Sequence, residues 1–248
     1  MASIQTDFDR IALLTTGGWN HNNHYHNFLL QRVPPDCRET LEIGCGTGTF
    51  SRLLAERSQH VIALDLSPEM IRVARARSAQ FPNIEFQVAD VMSVLPAPGS
   101  STSSKSPAES FDCIASIATL HHLPLREMLL RMKAALKPGG VLLVLDLFEP
   151  ERDLLNPEGL LDAFLNALAV TVSGGLSLIH NGRFLPPREV REAWAEHARH
   201  DSFPNFRHVR ELCRRILPGA KVKKHLLWRY SIVWQKLDDE GGRPKIKK

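Results

Sequence analysis

Cysteine is scarce: Cys37, Cys45, Cys113 and Cys213 are the four in 248 residues. None forms a Cys-x-x-Cys pair and their spacing suggests no disulfide framework, so reduced thiols in a cytoplasmic protein are expected. No apolar run reaches the ~18 residues of a membrane-spanning helix, so no membrane partner is expected. The start, Met1-Ala2-Ser3-Ile4-Gln5-Thr6-Asp7, has neither a basic segment nor an apolar core, and no secretory signal is expected. Internal repeats are lacking. Charge of one sign is in small excess, 31 Lys and Arg against 27 Asp and Glu. Nine basic and three acidic residues fall between Gly219 and Lys248, so the rest of the chain is slightly acidic. That is not a basic globule. A nucleic-acid partner is left open but not implied.

The remaining composition, 43% apolar and 23% charged, is that of a globular chain able to bury a core. Strand and helix signals alternate from residue 40 to 145. Strands are expected at 40–43, 60–64, 84–88, 111–115 and 141–145. Helices are expected at 50–57, 68–79 and 126–136, the last stopped by Pro138-Gly139-Gly140. This alternation implies a parallel, doubly wound sheet. Before it, Tyr25, Phe28 and Leu29 share a helical face that ends at Pro34-Pro35. Gly99 to Pro107 is Ser-rich and reads as a surface insertion. Residues 149–217 break the alternation, with a helix at 154–172, a break at Gly174-Gly175 and a helix at 187–200. Strands at 222–228 and 230–235 close the fold, and a charged tail follows.

Glu42-Ile43-Gly44-Cys45-Gly46-Thr47-Gly48 lies between a strand and a helix. Its glycines let backbone pass close to a ligand. A dinucleotide-binding Gly-x-Gly-x-x-Gly would need glycine at position 49, where Thr49 stands. Asp65 ends the second strand, the place for an acid that takes ribose hydroxyls. Glu42 beside the turn would repel a pyrophosphate but favours a ligand with a sulfonium and an ammonium, as in S-adenosylmethionine.

Here the chain resembles the class I S-adenosylmethionine-dependent methyltransferases, in their small-molecule and quinone-type branch. The resemblance spans residues 38–148. It is carried by Leu41 to Gly48, by Ala63-Leu64-Asp65-Leu66-Ser67-Pro68-Glu69-Met70, by Ala89-Asp90-Val91, by Ser116 to Leu123 with its Leu-His-His-Leu, and by Leu136-Lys137-Pro138-Gly139-Gly140-Val141-Leu142. The resemblance implies that Gly44, Gly46 and Gly48 run beneath the methionine part of the cofactor. It also implies that Asp65 binds the ribose, Met70 flanks the adenine, Asp90 takes its amino group and the Val91 amide a ring nitrogen. Glu42, Cys45, Leu66 and Ser116 complete the expected cofactor set.

Methyl transfer to an activated carbon needs alignment and exclusion of water, and a base only where the acceptor loses a proton. His121 and His122 follow the fourth strand and are the candidates for that base. His21, His24 and His26 are not expected to bind metal, because His26 points away from the other two on a helix. Trp19, His24 and Tyr25 are the candidates in the cap for touching cofactor or acceptor. Leu160, Leu161, Phe164, Leu165 and Leu168 have helical spacing and read as core. The arginines from 183 to 215 read as solvated faces balanced by acids. Trp228, Tyr230 and Trp234 share a face if one strand runs through all three.

The expected architecture is a single α/β domain with a doubly wound, mostly parallel seven-stranded sheet. A helical cap spans 1–37, the cofactor core 38–148, a helical lid 149–217, the closing strands 218–237 and a charged tail 238–248. The expected reaction is methyl transfer from S-adenosylmethionine to a small molecule. An RNA, especially tRNA, methyltransferase and a cofactor-binding protein without turnover are the alternatives. The oligomeric state is not legible.

Overall fold

The structure, a computed structural model, describes residues 2–14, 18–95, 109–151, 153, 155–199 and 201–237. The expected Ser-rich insertion and the tail beyond Leu237 lie outside the described residues. Seven strands form one sheet: β1 Cys37–Ile43, β2 Ser58–Asp65, β3 Ile84–Val88, β4 Phe111–Ile117, β5 Leu136–Leu147, β6 Lys221–His225 and β7 Arg229–Gln235. Their order is β3-β2-β1-β4-β5-β7-β6. The first five run parallel, and β7 lies antiparallel to both β5 and β6. The mostly parallel, doubly wound sheet is thus as its alternating pattern predicts.

Nine helices accompany the sheet among the described residues: α1 Ala2–Leu14, α2 His26–Leu30, α3 Thr49–Ala55, α4 Pro68–Arg77, α5 Val91–Val94, α6 Leu125–Ala135, α7 Pro157–Asn181, α8 Arg188–His197 and α9 Phe206–Ile216. The central strands are apolar on both sides because each face is covered. On one face Leu142 and Val144 meet Met128 and Met132 of α6 and Val209 and Cys213 of α9. On the other, Leu143 and Leu145 share a cluster with Leu29 of α2, Leu54 of α3 and Ile71 of α4. Successive strand residues point to opposite faces, so one continuous apolar run serves two cores. The Ser67 hydroxyl caps α4 by accepting from the Met70 amide, and Pro68 supplies a preset φ at its first position.

Five expectations are corrected. β5 begins at Leu136, directly after α6, and Pro138-Gly139 lie inside it where its register against β4 shifts between Phe111 and Cys113. α7 runs through Gly174-Gly175: two glycines cost about 2 kcal/mol in a helix, which the apolar and hydrogen-bonded helix around them outweighs. β6 stops at His225, and Leu227 and Trp228 both take φ of 59° in the tight turn to β7. Such paired positive φ values make a hairpin turn whose twist suits the flanking strands. Trp228 therefore leaves the face of Tyr230 and Trp234, and its indole donates to Asn166 Oδ1 at 2.6 Å. α9, inside the expected lid, is core: Val209 and Cys213 are fully covered. Leu160, Leu161, Phe164 and Leu168, expected as core, are 41–66% exposed.

α1 was not apparent in the sequence. It lies against α4 and α8, with Ile11 and Ala12 packed on Met70 and Ala193. Asp9 ties it to the core by accepting from the Ser67 hydroxyl at 2.5 Å.

Candidate active site

A cavity of about 280 Å³ opens at the carboxyl ends of the parallel strands. Its floor is Gly44 after β1, Asp65 at the end of β2, Asp90 after β3 and Thr119 after β4. The strand order reverses between β1 and β4, and open α/β sheets bind ligands at that crevice.

The glycine turn is shaped by backbone conformation. Gly44 and Gly46 have φ of 74° and 52°, values that residues with a Cβ avoid. A Cβ on Gly44 would fall 1.9 Å from the Thr119 hydroxyl oxygen. A Cβ on Gly46 would meet nothing within 4 Å, so the open side of this glycine faces space. The turn is pinned to the second strand. The Gly44 and Cys45 amides donate to the Leu64 carbonyl, and the Gly46 amide donates to Asp65 Oδ2 at 2.8 Å. Asp65 Oδ1 accepts from the Ser67 amide at 2.9 Å. With the Leu66 amide as a further donor, the carboxylate still keeps lone-pair capacity for a ligand hydroxyl. Burial raises the Asp65 pKa, the backbone hydrogen bonds oppose it, and Asp9 adds to the rise. The Asp90 side chain caps α5 by accepting from the Met92 amide at 2.8 Å.

Glu42 is 2% exposed and still lines the cavity. Its one hydrogen bond of short length comes from the Ser51 hydroxyl at 2.5 Å. Burial pushes its carboxyl up to about 8, against the Ser51 bond. Asp65 adds to the rise and Arg52 opposes it, but burial outweighs both, so the carboxyl holds its proton near pH 7. A ligand ammonium placed there would release it. These features fit S-adenosylmethionine: an acid for an ammonium, a turn open at Gly46 for close approach and an acid with lone-pair capacity left for a hydroxyl, with Met70, Asp90 and Val91 also in the cavity wall.

Residues 40–140 match the family model described as a methyltransferase domain. An uncharacterized methyltransferase of Mycobacterium tuberculosis (strain ATCC 25618 / H37Rv) is 29% identical over 221 residues, covering 88% of this chain and 96% of that protein. The chain thus carries a methyltransferase domain over residues 40–140, and the comparisons support a class I S-adenosylmethionine-dependent methyltransferase. A ubiquinone biosynthesis O-methyltransferase of Xylella fastidiosa (strain 9a5c) is 32% identical over 155 residues. That alignment covers 56% of this chain and spans only 58% of the Xylella protein. Among solved structures, the N-methyltransferase NodS from Bradyrhizobium japonicum WM9, in complex with S-adenosylhomocysteine, shares the fold. Its TM-score is 0.57 at 16% identity over 94% of this chain and 98% of that one. The protein is an enzyme and S-adenosylmethionine is its cofactor.

Of the expected cofactor residues, this methyltransferase brings Glu42, Gly44, Cys45, Gly46, Asp65, Leu66, Met70, Asp90 and Val91 to the cavity. Gly48 and Ser116 do not line it. Gly48, with φ of 73°, starts α3, and a Cβ there would crowd Phe86 and Ala74 at 3.0–3.1 Å. Ser116 is buried, its hydroxyl donating to the Ile43 carbonyl across the β1–β4 pair.

The two adjacent histidines have different fates. His121 is held by Asp146 of β5: its amide donates to Oδ2 at 3.0 Å, and its Nδ1 pairs with Oδ1 at 2.6 Å. Both side chains are sealed, at 3% and 0% exposure, and His121 does not line the cavity. It is structural, a correction to its candidacy as base. His122 lines the cavity, and its Nε2 is buried without a partner among the described residues. Its Nδ1 stands 3.4 Å from Asp201. Burial, then His121 and His197 beside it, push the His122 imidazole down to about 4, so it is neutral near pH 7. Asp201 also brings a ligand-type atom within 4.8 Å of those of His121 and His122, a grouping between segments 80 residues apart.

The cap covers the cavity, but not with the residues expected of it. Asn20, Asn22, Asn23 and His26 line it, whereas Trp19, His24 and Tyr25 do not. Trp19 stacks on His180 of α7, His24 stands edge-on to Trp19 and Tyr25, and the Tyr25 hydroxyl donates to the Leu226 carbonyl. The polar Asn-rich run did point to this segment; the 3₁₀ turn at Asn23–Tyr25 rotated different members inward. Phe8 of α1 and Trp194 of α8 form an apolar wall that sequence reasoning missed. The Ile4, Phe8, Ile11 spacing was its available signal.

Proposed function

We propose that this methyltransferase methylates the hydroxyl oxygen of a small, uncharged, phenol-like acceptor held between the Phe8 and Trp194 wall and His122. The observation that carries the reading is the charge of the lining. Among the described residues it has the acids Glu42, Asp65 and Asp90 and neither lysine nor arginine. An RNA or a phosphorylated acceptor needs cationic groups for its phosphates. His122 lines the cavity, and its neutral imidazole carries a ring nitrogen able to accept a hydrogen bond from a weakly acidic O–H without a competing proton. When bound, S-adenosylmethionine supplies a methyl carbon activated by its sulfonium. The chain's own part is to orient the acceptor through His122 and to exclude water with α1, α8 and the cap. The ubiquinone O-methyltransferase relative supports an oxygen acceptor of this kind.

The test is transfer of labelled methyl groups to a panel of small phenols, small amines, phosphorylated analogues and bulk tRNA, with Asp65→Ala as the cofactor-site control. Turnover of uncharged phenols that is lost in Asp65→Ala supports the reading. Turnover confined to tRNA, amines or phosphorylated compounds would sink it.

A further inference from the structure

α7 is turned inside out. Most of its polar side chains face the body of the enzyme. Asp162 pairs with Lys224 at 2.7 Å, Asn166 accepts from Trp228, and Ser173 meets His21 at 2.6 Å. The Ser177 hydroxyl donates to the Arg183 carbonyl, and Asn181 exchanges two hydrogen bonds with the Trp19 backbone. Its outward side carries Leu160, Leu161, Phe164, Leu168, Leu178 and Ile179, between 41% and 77% exposed. At 3.6 residues per turn these six lie within an arc of about 100° over a length of about 29 Å. Between Gly159 and Asn181 the one ionisable acid or base of fixed charge is Asp162, which is buried. The segment is long and apolar enough to cross a membrane by length and composition, although no such run was expected from the sequence.

We propose that this face is the interface of a two-fold homodimer, with α7 packed antiparallel on α7 of a second copy and crossing near Thr171. Three observations favour a second copy. The first is area: with Phe184 and Leu185 continuing the patch at 62% and 61% exposure, it offers on the order of 800 Å². That exceeds the ~300–600 Å² patch of an ordinary monomer and matches the ~800 Å² per partner of a standard interface. The second is profile. Ala167, Thr171 and Gly175 put small side chains at the middle of the face, with bulky residues at both ends. About a two-fold axis at Thr171, the small centres approach closely and Phe164 of one copy lies over Leu178 of the other. This is the self-complementarity an isologous contact demands. The third is charge: Glu149, Glu151 and Asp153 outnumber Arg152 before the helix, and an anionic lipid surface would repel that excess.

The contact reaches the active site. α7 holds the cap through the Ser173–His21 and Asn181–Trp19 bonds, and the cap supplies the cavity's asparagines. Pairing of two α7 helices thus steadies one wall of each cavity.

Light scattering on the eluting full-length chain tests this, together with the double variant Phe164→Glu/Leu168→Glu and the single variant Thr171→Cys. The wild type is expected at twice 27.8 kDa in the micromolar range. The double variant is expected at half the wild-type mass with an unchanged circular dichroism spectrum. Oxidised Thr171→Cys is expected as a covalent dimer, since the four native cysteines are buried and do not compete. If the double variant fails to fold, the Thr171→Cys crosslink decides alone. A wild type that stays monomeric, a monomer that floats with anionic phospholipid vesicles, or a dimer that Thr171→Cys fails to crosslink each overturn the proposal.

Discussion

At the scale of single residues, neighbouring histidines differ because of what stands behind them. Asp146 is fully buried, and His121 is the imidazole that pairs with it. His121→Ala leaves that buried carboxylate with only the backbone amides of residue 121 and Leu147, and about 3 kcal/mol of stability should be lost in urea unfolding. His122→Ala removes a ring that lines the cavity and leaves no buried partner orphaned by a short bond. It should leave the urea midpoint and cofactor affinity near wild type while lowering turnover of the acceptor. Loss of cofactor binding in His122→Ala would make that residue structural too. Glu42 carries a second residue-scale prediction. Its carboxyl holds a proton up to about pH 8, and an ammonium beside it favours the ionised form. S-adenosylmethionine binding near pH 7 should therefore release close to one proton, and affinity should tighten as pH rises toward 8. Calorimetry in two buffers of different ionisation heat reads this directly. Binding without proton release, or release retained in Glu42→Gln, would remove Glu42 from the role.

At the scale of elements, α7 shows how context overrides local preference. Its two central glycines are poor helix formers, yet the helix passes through them, tied on its inner face by hydrogen bonds to His21, Trp19 and Trp228. A methyl group added at Gly174 would lie 3.6 Å from the Phe184 ring, an ordinary contact. Gly174→Ala should raise stability by about 0.5–1 kcal/mol, read as a higher urea midpoint with unchanged slope. A lower midpoint would mean that the helix is bent or crowded there. α9 is the converse case. Phe206, Val209, Leu212, Cys213 and Ile216 carry a regular apolar stripe, but the arginines between them drew the reading toward a solvated surface. The stripe decided the burial, because arginine stems on the other face reach water without leaving the helix.

At the scale of the whole molecule, the titrating groups of the cavity and cap set opposite slopes. Burial lowers His21, His26 and His122 from 6.5 to about 4, with Arg229 adding at His21 and the two other histidines at His122. The unfolded chain takes up these protons at higher pH than the folded one. Their contribution is therefore fully present above about 6.5 and lost as pH falls through about 4. Glu42 runs the other way: its folded pKa is raised from 4.5 to about 8, so its contribution is present below 4.5 and lost as pH rises through about 8. Stability without ligand should peak near pH ~6.5 and fall more steeply on the acid side, where three histidines act against Glu42 and Asp65. Urea midpoints between pH 4.5 and 8.5 check the shape. A monotonic rise with pH would show that Glu42 is ionised in the free enzyme.

The chain by itself determined the doubly wound sheet, the glycine turn and Asp65, because alternation, glycine spacing and the end of a strand are local properties that one stretch of chain expresses on its own. It determined the acids of the cavity for the same reason: Glu42, Asp65 and Asp90 each sit at a strand end that the pattern locates. Tertiary structure decided which neighbour of an adjacent pair faces the cavity, since His121 turned to Asp146, 25 residues away, and His122 did not. It likewise decided that Asn20, Asn22, Asn23 and His26 line the cavity while Trp19 stacks on α7, and that α9 is core while the outward face of α7 is bare. Periodicity shows that a helix has an apolar face. What that face meets depends on contacts between segments far apart in the chain, and those contacts exist only once the sheet has brought the segments together.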